Sequence, residues 1–405
     1  MKKVSLLVSF LIIGLLFNGC SMALLPERIE INKLNLIRIV GIDKGIKNPD
    51  DICITILTKK IQQQQSGGSE NSGQKAEQPL ILTNEDPTLM KADREFQTYS
   101  DKRMFWGHVE YLLVGEEAAK EGIAKYIDYF VRDTSFRIKA NIYIIKGTTA
   151  KDFISQSSMG EYYLPDRLEA LNENSKLLTG WQGLELLEFL QWLNNKYSSA
   201  VAPALCLKEI ENPISEDDKP SIDVRLDGYV IFKNLKLVTE INLKQERGEN
   251  FLLNKVVTSA IQITDPSGKM VAMDIIDNKT DTSPVIKNGK LKGMTVKVEF
   301  SSNINEVHST SDIFDESTLK YLNDEQSKII KNEIEAVIKI AKDNNADFID
   351  MAGSFEMKRP TMWKKIKDKW DDIFPTIPIS VEVKSKINRT YDIIKPNSRF
   401  WEEHK

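Results

Sequence analysis

The chain has 405 residues, 41% of them hydrophobic and 28% charged, with a formal net charge of −4. A single hydrophobic core rarely keeps growing past roughly 250–300 residues, so more than one compact unit is expected. The acidic balance argues against nucleic acid as the main partner, which would favour a basic stripe.

Lys2 and Lys3 precede a run from Val4 to Phe17 that is apolar apart from Ser5, Ser9 and Gly14. As a helix this run would rise about 21 Å, short of a bilayer core of about 30 Å. It reads as an export signal over residues 1–19 rather than a span. No later stretch approaches about 18 uncharged apolar residues. The run ends on Gly19 and Cys20. A small residue before a cysteine suits the tight cleavage pocket of a lipoprotein signal peptidase. A diacylglyceryl group on Cys20 would give stable anchoring, because two acyl chains hold where one is marginal. Phe17 and Asn18 depart from the usual Leu or Val and Ala, Ser or Thr of such a motif. On these residues alone two readings stay open: lipid attachment at Cys20, or a plain export signal with an incidental thiol.

"EINKLNLIRIVGIDKG" (30–45) and "DDICITILTKKI" (50–61) alternate apolar and polar residues, which predicts a hairpin with its loop around 43–51. Residues 62–78 hold no aromatic and no β-branched side chain, so they cannot bury enough to order themselves and read as a polar loop. Asp86 and Pro87 are placed as N-cap and first residue of a helix of about four turns. A strand over 104–115, an amphipathic helix over 116–133 and a strand over 137–147 predict a right-handed βαβ crossover with parallel strands. Further helices are expected from 148 and over 179–197, then an extended segment and a Pro-containing connector over 202–220. Strands follow over 227–243, 254–263, 268–276 and 293–302, separated by turn signals that favour antiparallel neighbours. A long helix over 316–343, a second over 361–374 and a last strand over 377–387 complete the chain. The class is mixed α/β (α+β) and multi-domain, each domain a central mixed sheet flanked by helices. The expected divisions are 1–19, 20–200, 201–300 and 301–405.

No catalytic or metal-binding constellation stands out. His108, His308 and His404 have no His or Cys neighbour at ligand spacing, and His108, beside Trp106 in an apolar strand, reads as a core histidine. No phosphate-cradling glycine loop follows a strand. Asp50–Asp51, Asp217–Asp218 and Asp371–Asp372 read as solvated surface. Cys53 and Cys206 share no spacing motif and are expected as separate buried thiols. Trp363, Ile366, Trp370 and Ile373 recur at helical spacing, which marks a core face, and Trp401 is a weak candidate for an interface anchor. No cofactor, no metal and no enzymatic activity are expected.

Three ordered blocks resemble the C-subunit lipoproteins of spore germinant receptors, the GerC-type family. The cysteine followed by "ERIEINKLNLIRIVGIDKG" is similar to the family's lead-in and "GID" turn, although Ser21 and Met22 stand where the family has a Trp. "DKRMFWGHVEYLLVGEEAAKEGI", continued by "YIDYFVRDTSFRIKANIYIIKG", resembles its central block. "NADFIDMAGSFEMKRPTMWKKIKDKWDDIFPTIPISVEVKSKI" resembles its C-terminal block, with "DMAG" where members often read "GfG". The resemblance implies three mixed α/β domains, cleavage after Gly19 and lipid on Cys20. It implies a non-enzymatic subunit on the outer face of the inner spore membrane, working with integral-membrane A and B subunits. Binding of a small-molecule germinant by this subunit is possible but not indicated. The rival readings are a solute-binding lipoprotein that captures the nutrient itself and, more remotely, a cell-wall hydrolase.

Overall fold

The computed structural model describes residues 30–59, 79–158, 163–178, 183–210, 221–308 and 315–388. The chain builds two mixed sheets. The first contains β1 (Leu34–Lys44), β2 (Ile52–Lys59), β3 (Leu80–Asp86), β4 (Arg103–Phe105), β5 (Tyr111–Gly115), β6 (Asn141–Ile145), β7 (Ala200–Ile210), β8 (Ser221–Lys233) and β9 (Lys236–Ile241). Its order is β3-β2-β1-β5-β6-β7-β8-β9, with β4 beside the start of β1. The central strands β1, β5, β6 and β7 are parallel, and the flanking strands are antiparallel. β1 is buried without a break from Ile39 to Asp43 and β5 along its whole length, as a sheet covered on both faces requires. One face carries α1 (Leu89–Tyr99), α2 (Glu116–Arg132) and α5 (Leu186–Leu193); the other carries α3 (Ala150–Ser157) and α4 (Leu164–Leu178).

A single helix, α6 (Leu243–Leu252), follows β9 and leads into the second sheet. That sheet contains β10 (Ser259–Thr264), β11 (Met270–Lys287), β12 (Lys290–Val307) and β13 (Ile379–Asn388) in this order. The first three are antiparallel neighbours, and β13 returns parallel to β12. β10 alternates buried and exposed residues, the pattern of a sheet covered on one face. That cover is α7 (Glu316–Asp343), which buries Leu322, Ile330, Ile334, Val337, Ile338 and Ala341. Three short helices follow: α8 (Met351–Lys358), α9 (Pro360–Ile366) and α10 (Trp370–Ile373). No helix among the described residues is long and apolar enough to cross a membrane.

The hairpin, the parallel crossover, the antiparallel run β10–β12, the long helix and the returning strand all stand as expected. Several bounds move for local reasons. Asp86 ends β3, and the cap of α1 is Thr88, whose hydroxyl accepts from Lys91 N at 3.4 Å. The strand expected over 104–115 is cut by a single 3-10 turn, Trp106–His108, which sends Trp106 into the core and leaves His108 exposed. His108 is therefore not a core histidine; its ring packs 5.7 Å from Phe105 on the surface. Among the described residues of the helix expected over 179–197, the helix begins at Leu186, because Leu184 and Glu185 run extended against β6: Ile142 N donates to Leu184 O and Leu186 N to Ala140 O, both 2.8 Å. The helix expected over 361–374 breaks into α9, a 3-10 turn and α10. Helices α4, α6 and α8 are additions. The expected cuts at 200 and 300 both fall inside a sheet. β7–β9 extend the first sheet, and residue 300 lies within β12. The middle strands thus form no sheet of their own.

Candidate functional site: the seam between the sheets

Gly19, Cys20, the 62–78 segment, Trp181, Trp401 and His404 lie outside the described residues. Cys53 and Cys206 are free thiols on β2 and β7, Cys53 buried and Cys206 only half-buried. Burial pushes the Cys53 thiol up to about 12, so it is inert as a nucleophile. The tryptophan face is real at two of its four positions: Trp363 and Trp370 are buried with ring centroids 5.2 Å apart, whereas Ile366 and Ile373 are half-buried.

Those two tryptophans anchor the seam where the two halves meet. Trp363 packs edge-on against Tyr197, 5.3 Å away, from the segment that leads into β7. Asp347, between α7 and α8, is the polar centre. Its Oδ1 accepts from Met351 N at 2.9 Å, and its Oδ2 from Ala352 N at 2.8 Å and Trp370 Nε1 at 2.9 Å. The carboxylate thus satisfies two orphan N–H groups at the start of α8 and a buried indole. Its own backbone carbonyl accepts from Ser199 N at 2.9 Å, which ties it to the first half. Burial pushes the Asp347 carboxyl up to about 7, against the pull of its three donors. Beside it opens a cleft of about 460 Å³, lined by Tyr197, Phe232, Lys233, Asn345, Asp347 and Trp370 among others. Lys233 Nζ spans the seam, donating to Asn345 O and, at 3.1 Å, to Asp371.

Helix α6 is the second element of the seam. Asn242 and Gln245 close a reciprocal capping box at its start, which fixes where it begins. Gly248 lets it touch α7: a Cβ there would lie 2.7 Å from the Glu333 carbonyl oxygen. Arg247 clamps the same turn of α7, with Nε donating to Glu333 at 2.8 Å and Nη2 at 2.5 Å, while Nη1 reaches Ala260 O at 2.7 Å. The inner side of α6 is unusually polar for a buried face. Glu246 accepts from the Tyr229 hydroxyl at 3.0 Å. Glu249 is fully buried, and neither of its carboxyl oxygens has a hydrogen-bond partner among the described residues. Burial raises its carboxyl to about 8, against the pull of Lys255 and helped by Glu246. Lys255, itself lowered by burial, lies 4.5 Å over the Trp192 ring.

None of Asp347, Glu249 and α6 was singled out from the sequence. Asp347 carried one legible signal, since it falls in the "NADFIDMAG" block of the family resemblance. The same holds for Asp43 of the "GID" turn, whose carboxyl accepts from Ala150 N at 2.8 Å and Lys151 N at 2.9 Å and so caps α3. Both aspartates are structural caps. The seam, as a whole, is built to hold two halves in register and offers a modest polar cleft.

Residues 27–206 match the family described as "Spore germination protein N-terminal domain", and residues 227–391 the one described as "Spore germination B3/ GerAC like, C-terminal". Among proteins of Bacillus subtilis (strain 168), the chain is 23% identical to spore germination protein KC over 402 residues, covering 96% of each. It is 22% identical to spore germination protein B3 over 364 residues, 88% of this chain and 91% of that protein. The crystal structure of the GerBC protein shares the fold, with a TM-score of 0.54 and 18% identity over 86% of this chain and 96% of that one. The boundary between the two matched regions does not follow the sheets. Most of β8 and all of β9 belong to the C-terminal match, yet both strands complete the first sheet.

Proposed function

Because the chain belongs to the GerC-type family of spore germination proteins, we propose that it serves in germination as the lipid-tethered C subunit of a nutrient germinant receptor. In this reading residues 1–19 are removed, Cys20 carries the diacylglyceryl anchor, and the body sits on the outer face of the inner spore membrane. It acts by contacts with the integral-membrane A and B subunits rather than by catalysis. The observation that carries the reading is the ordered pair of family matches over 27–206 and 227–391, with Cys20 a few residues upstream of the first. Tethering raises the effective concentration at the partner subunits, so individually weak contacts suffice. The test is recovery of the tagged full-length chain from spore membranes in mild detergent. Two integral-membrane proteins are expected to co-purify with it; recovery of the chain alone from germination-competent spores would contradict the assignment.

The seam cleft supports a second reading, direct capture of the nutrient, since its volume of about 460 Å³ suits a small polar solute. Against it, the second sheet is a strand meander with one returning strand and not a second doubly wound lobe. Calorimetry of the full chain with amino acids and sugars separates the two; heat of binding at micromolar ligand would favour capture.

A further inference from the structure

The family assignment leaves one surface unexplained. The turn over 287–292 and the segment 356–369 together hold nine basic residues against two acidic ones, in a chain of net charge −4. The fold brings them together. The β11–β12 turn and helix α9 line opposite sides of one groove, with Lys290 and Lys292 on one wall and Lys365 on the other. Lys287 pairs with Lys290 at the tip of the hairpin, and Lys364 adjoins Lys365 on α9. All five lysines are exposed, and none has an ion-pair partner among the described residues. The floor of the groove is apolar, formed by Leu291, Met362, Ile366 and Ile377, with Asp372 the one acid on its rim. Nearby on α8, Met357 is 75% exposed, more than any other large hydrophobic side chain described.

The position of this face matters as much as its charge. β1, β5, β6 and β7 are parallel, so the starts of β1 at Leu34 and of β7 at Ala200 lie at the same end of the first sheet. They are three strand spacings apart, and the register sets Ala200 level with Arg38, four residues along from Leu34, so the two starts are roughly 20 Å apart. The residues just before Ala200 touch the basic segment: Tyr197 packs on Trp363, and Lys196 pairs with Asp368 at 3.4 Å. The chain therefore enters the fold at the end of the molecule that carries the basic helices. Glu30, the first described residue, is ten residue steps on from Cys20, a reach of at most about 35 Å.

We infer that the groove between the β11–β12 turn and α9, with its lysines and apolar floor, is a second membrane contact that seats on anionic phospholipid headgroups. The lysines hold the lipid phosphates and Met357 enters the interfacial layer, as basic and apolar groups do together on peripheral proteins. This deepens the anchoring reading and rests on it for bringing the membrane to hand. The two contacts would fix the orientation of the body, where a single point of attachment would leave it free to turn.

The test uses the full chain bearing Cys20→Ser, so that no acyl chain is attached at that position, and measures co-flotation with vesicles. Vesicles of neutral phosphatidylcholine are compared with vesicles containing about a third phosphatidylglycerol, at about 0.1 M salt. Lys2 and Lys3 of the leader favour the anionic vesicles equally in the parent and in the variant below, so the difference between those two is the contribution of the groove. Partitioning onto the anionic vesicles is expected to be at least about tenfold stronger and to fade as salt is raised. The variant Lys290→Glu/Lys292→Glu/Lys364→Glu/Lys365→Glu, with its folding checked by circular dichroism, is expected to lose most of that preference. Equal partitioning of the parent chain onto both vesicles overturns the proposal, as does a preference that the four substitutions leave undiminished. If the quadruple variant blocks germination while the vesicles show no charge preference, the face reads an acidic protein surface and the lipid contact is refuted. Because no lipid is attached in this assay, its failure leaves the Cys20 anchor standing, and a spore protein found unacylated leaves the vesicle result intact.

Discussion

Replacing Asp347 by alanine strips the seam of its polar centre. Three donors lose their acceptor at once: Met351 N, Ala352 N and the Trp370 indole. A buried donor left unsatisfied costs about 1–3 kcal/mol, and the three are too close to be additive, so about 3–5 kcal/mol is expected near pH 5.5. That is a large share of the roughly 5–15 kcal/mol by which a domain is stable. The penalty should depend on pH in a set direction. The folded carboxyl titrates at about 7, above its ordinary 3.8. A group raised in this way adds stability that is complete below about pH 4, declines as pH rises toward 7 and is level above. Between pH 5.5 and 8 the parent chain gives up about 2 kcal/mol from this group, so the loss caused by alanine shrinks by that amount. Asp347→Asn, which keeps the volume and one acceptor, should remove the pH term and cost less. Urea unfolding followed by tryptophan fluorescence at the two pH values reads both effects. A loss under about 1 kcal/mol at pH 5.5, or a larger loss at pH 8 than at 5.5, would refute the assigned role.

Two further substitutions probe the connector helix. Gly248→Ala would ordinarily steady a helix by about 1 kcal/mol, but here the new Cβ meets the Glu333 backbone at 2.7 Å. A net loss of about 2 kcal/mol in urea unfolding is expected, and a gain would mean that α6 and α7 are not in contact. Glu249→Gln removes a carboxyl that burial raises to about 8. Its contribution falls between its ordinary value of 4.5 and about 8, so the variant should gain on the parent as pH rises from 5.5 to 8, read as melting temperatures; a gain in the opposite direction sinks the account of that site.

Much of the fold was legible because its signals are local. The long helix α7 carries an uninterrupted apolar stripe and an Asp315 cap, and its observed bounds are Glu316–Asp343. The βαβ crossover follows from strongly apolar strands at the right spacing. What the residues hid is tertiary. Trp106 and His108 differ in fate only because a 3-10 turn rotates one inward, and alternation alone does not reveal it. Residues 277–287 are polar and carry Pro284, yet they pair along their whole length with β12. α6 was hidden because its buried face presents Glu246, Gly248, Glu249 and Asn250 instead of an apolar stripe. The assignment of β7–β9 to the first sheet depends on pairing partners far away in the chain, which no local pattern encodes. The seam was opaque for the same reason: Asp347, Ser199 and Trp370 have no sequence proximity, and only the block resemblance hinted at the first of them.

The most direct test of the central claim is the state of Cys20 in the spore. Cys20→Ala is introduced at the native locus, membranes are fractionated, and spores are given defined nutrient. The altered chain is expected to leave the membrane fraction or to be depleted, and nutrient germination is expected to fail; full membrane retention together with normal germination would contradict the lipid-tethered role.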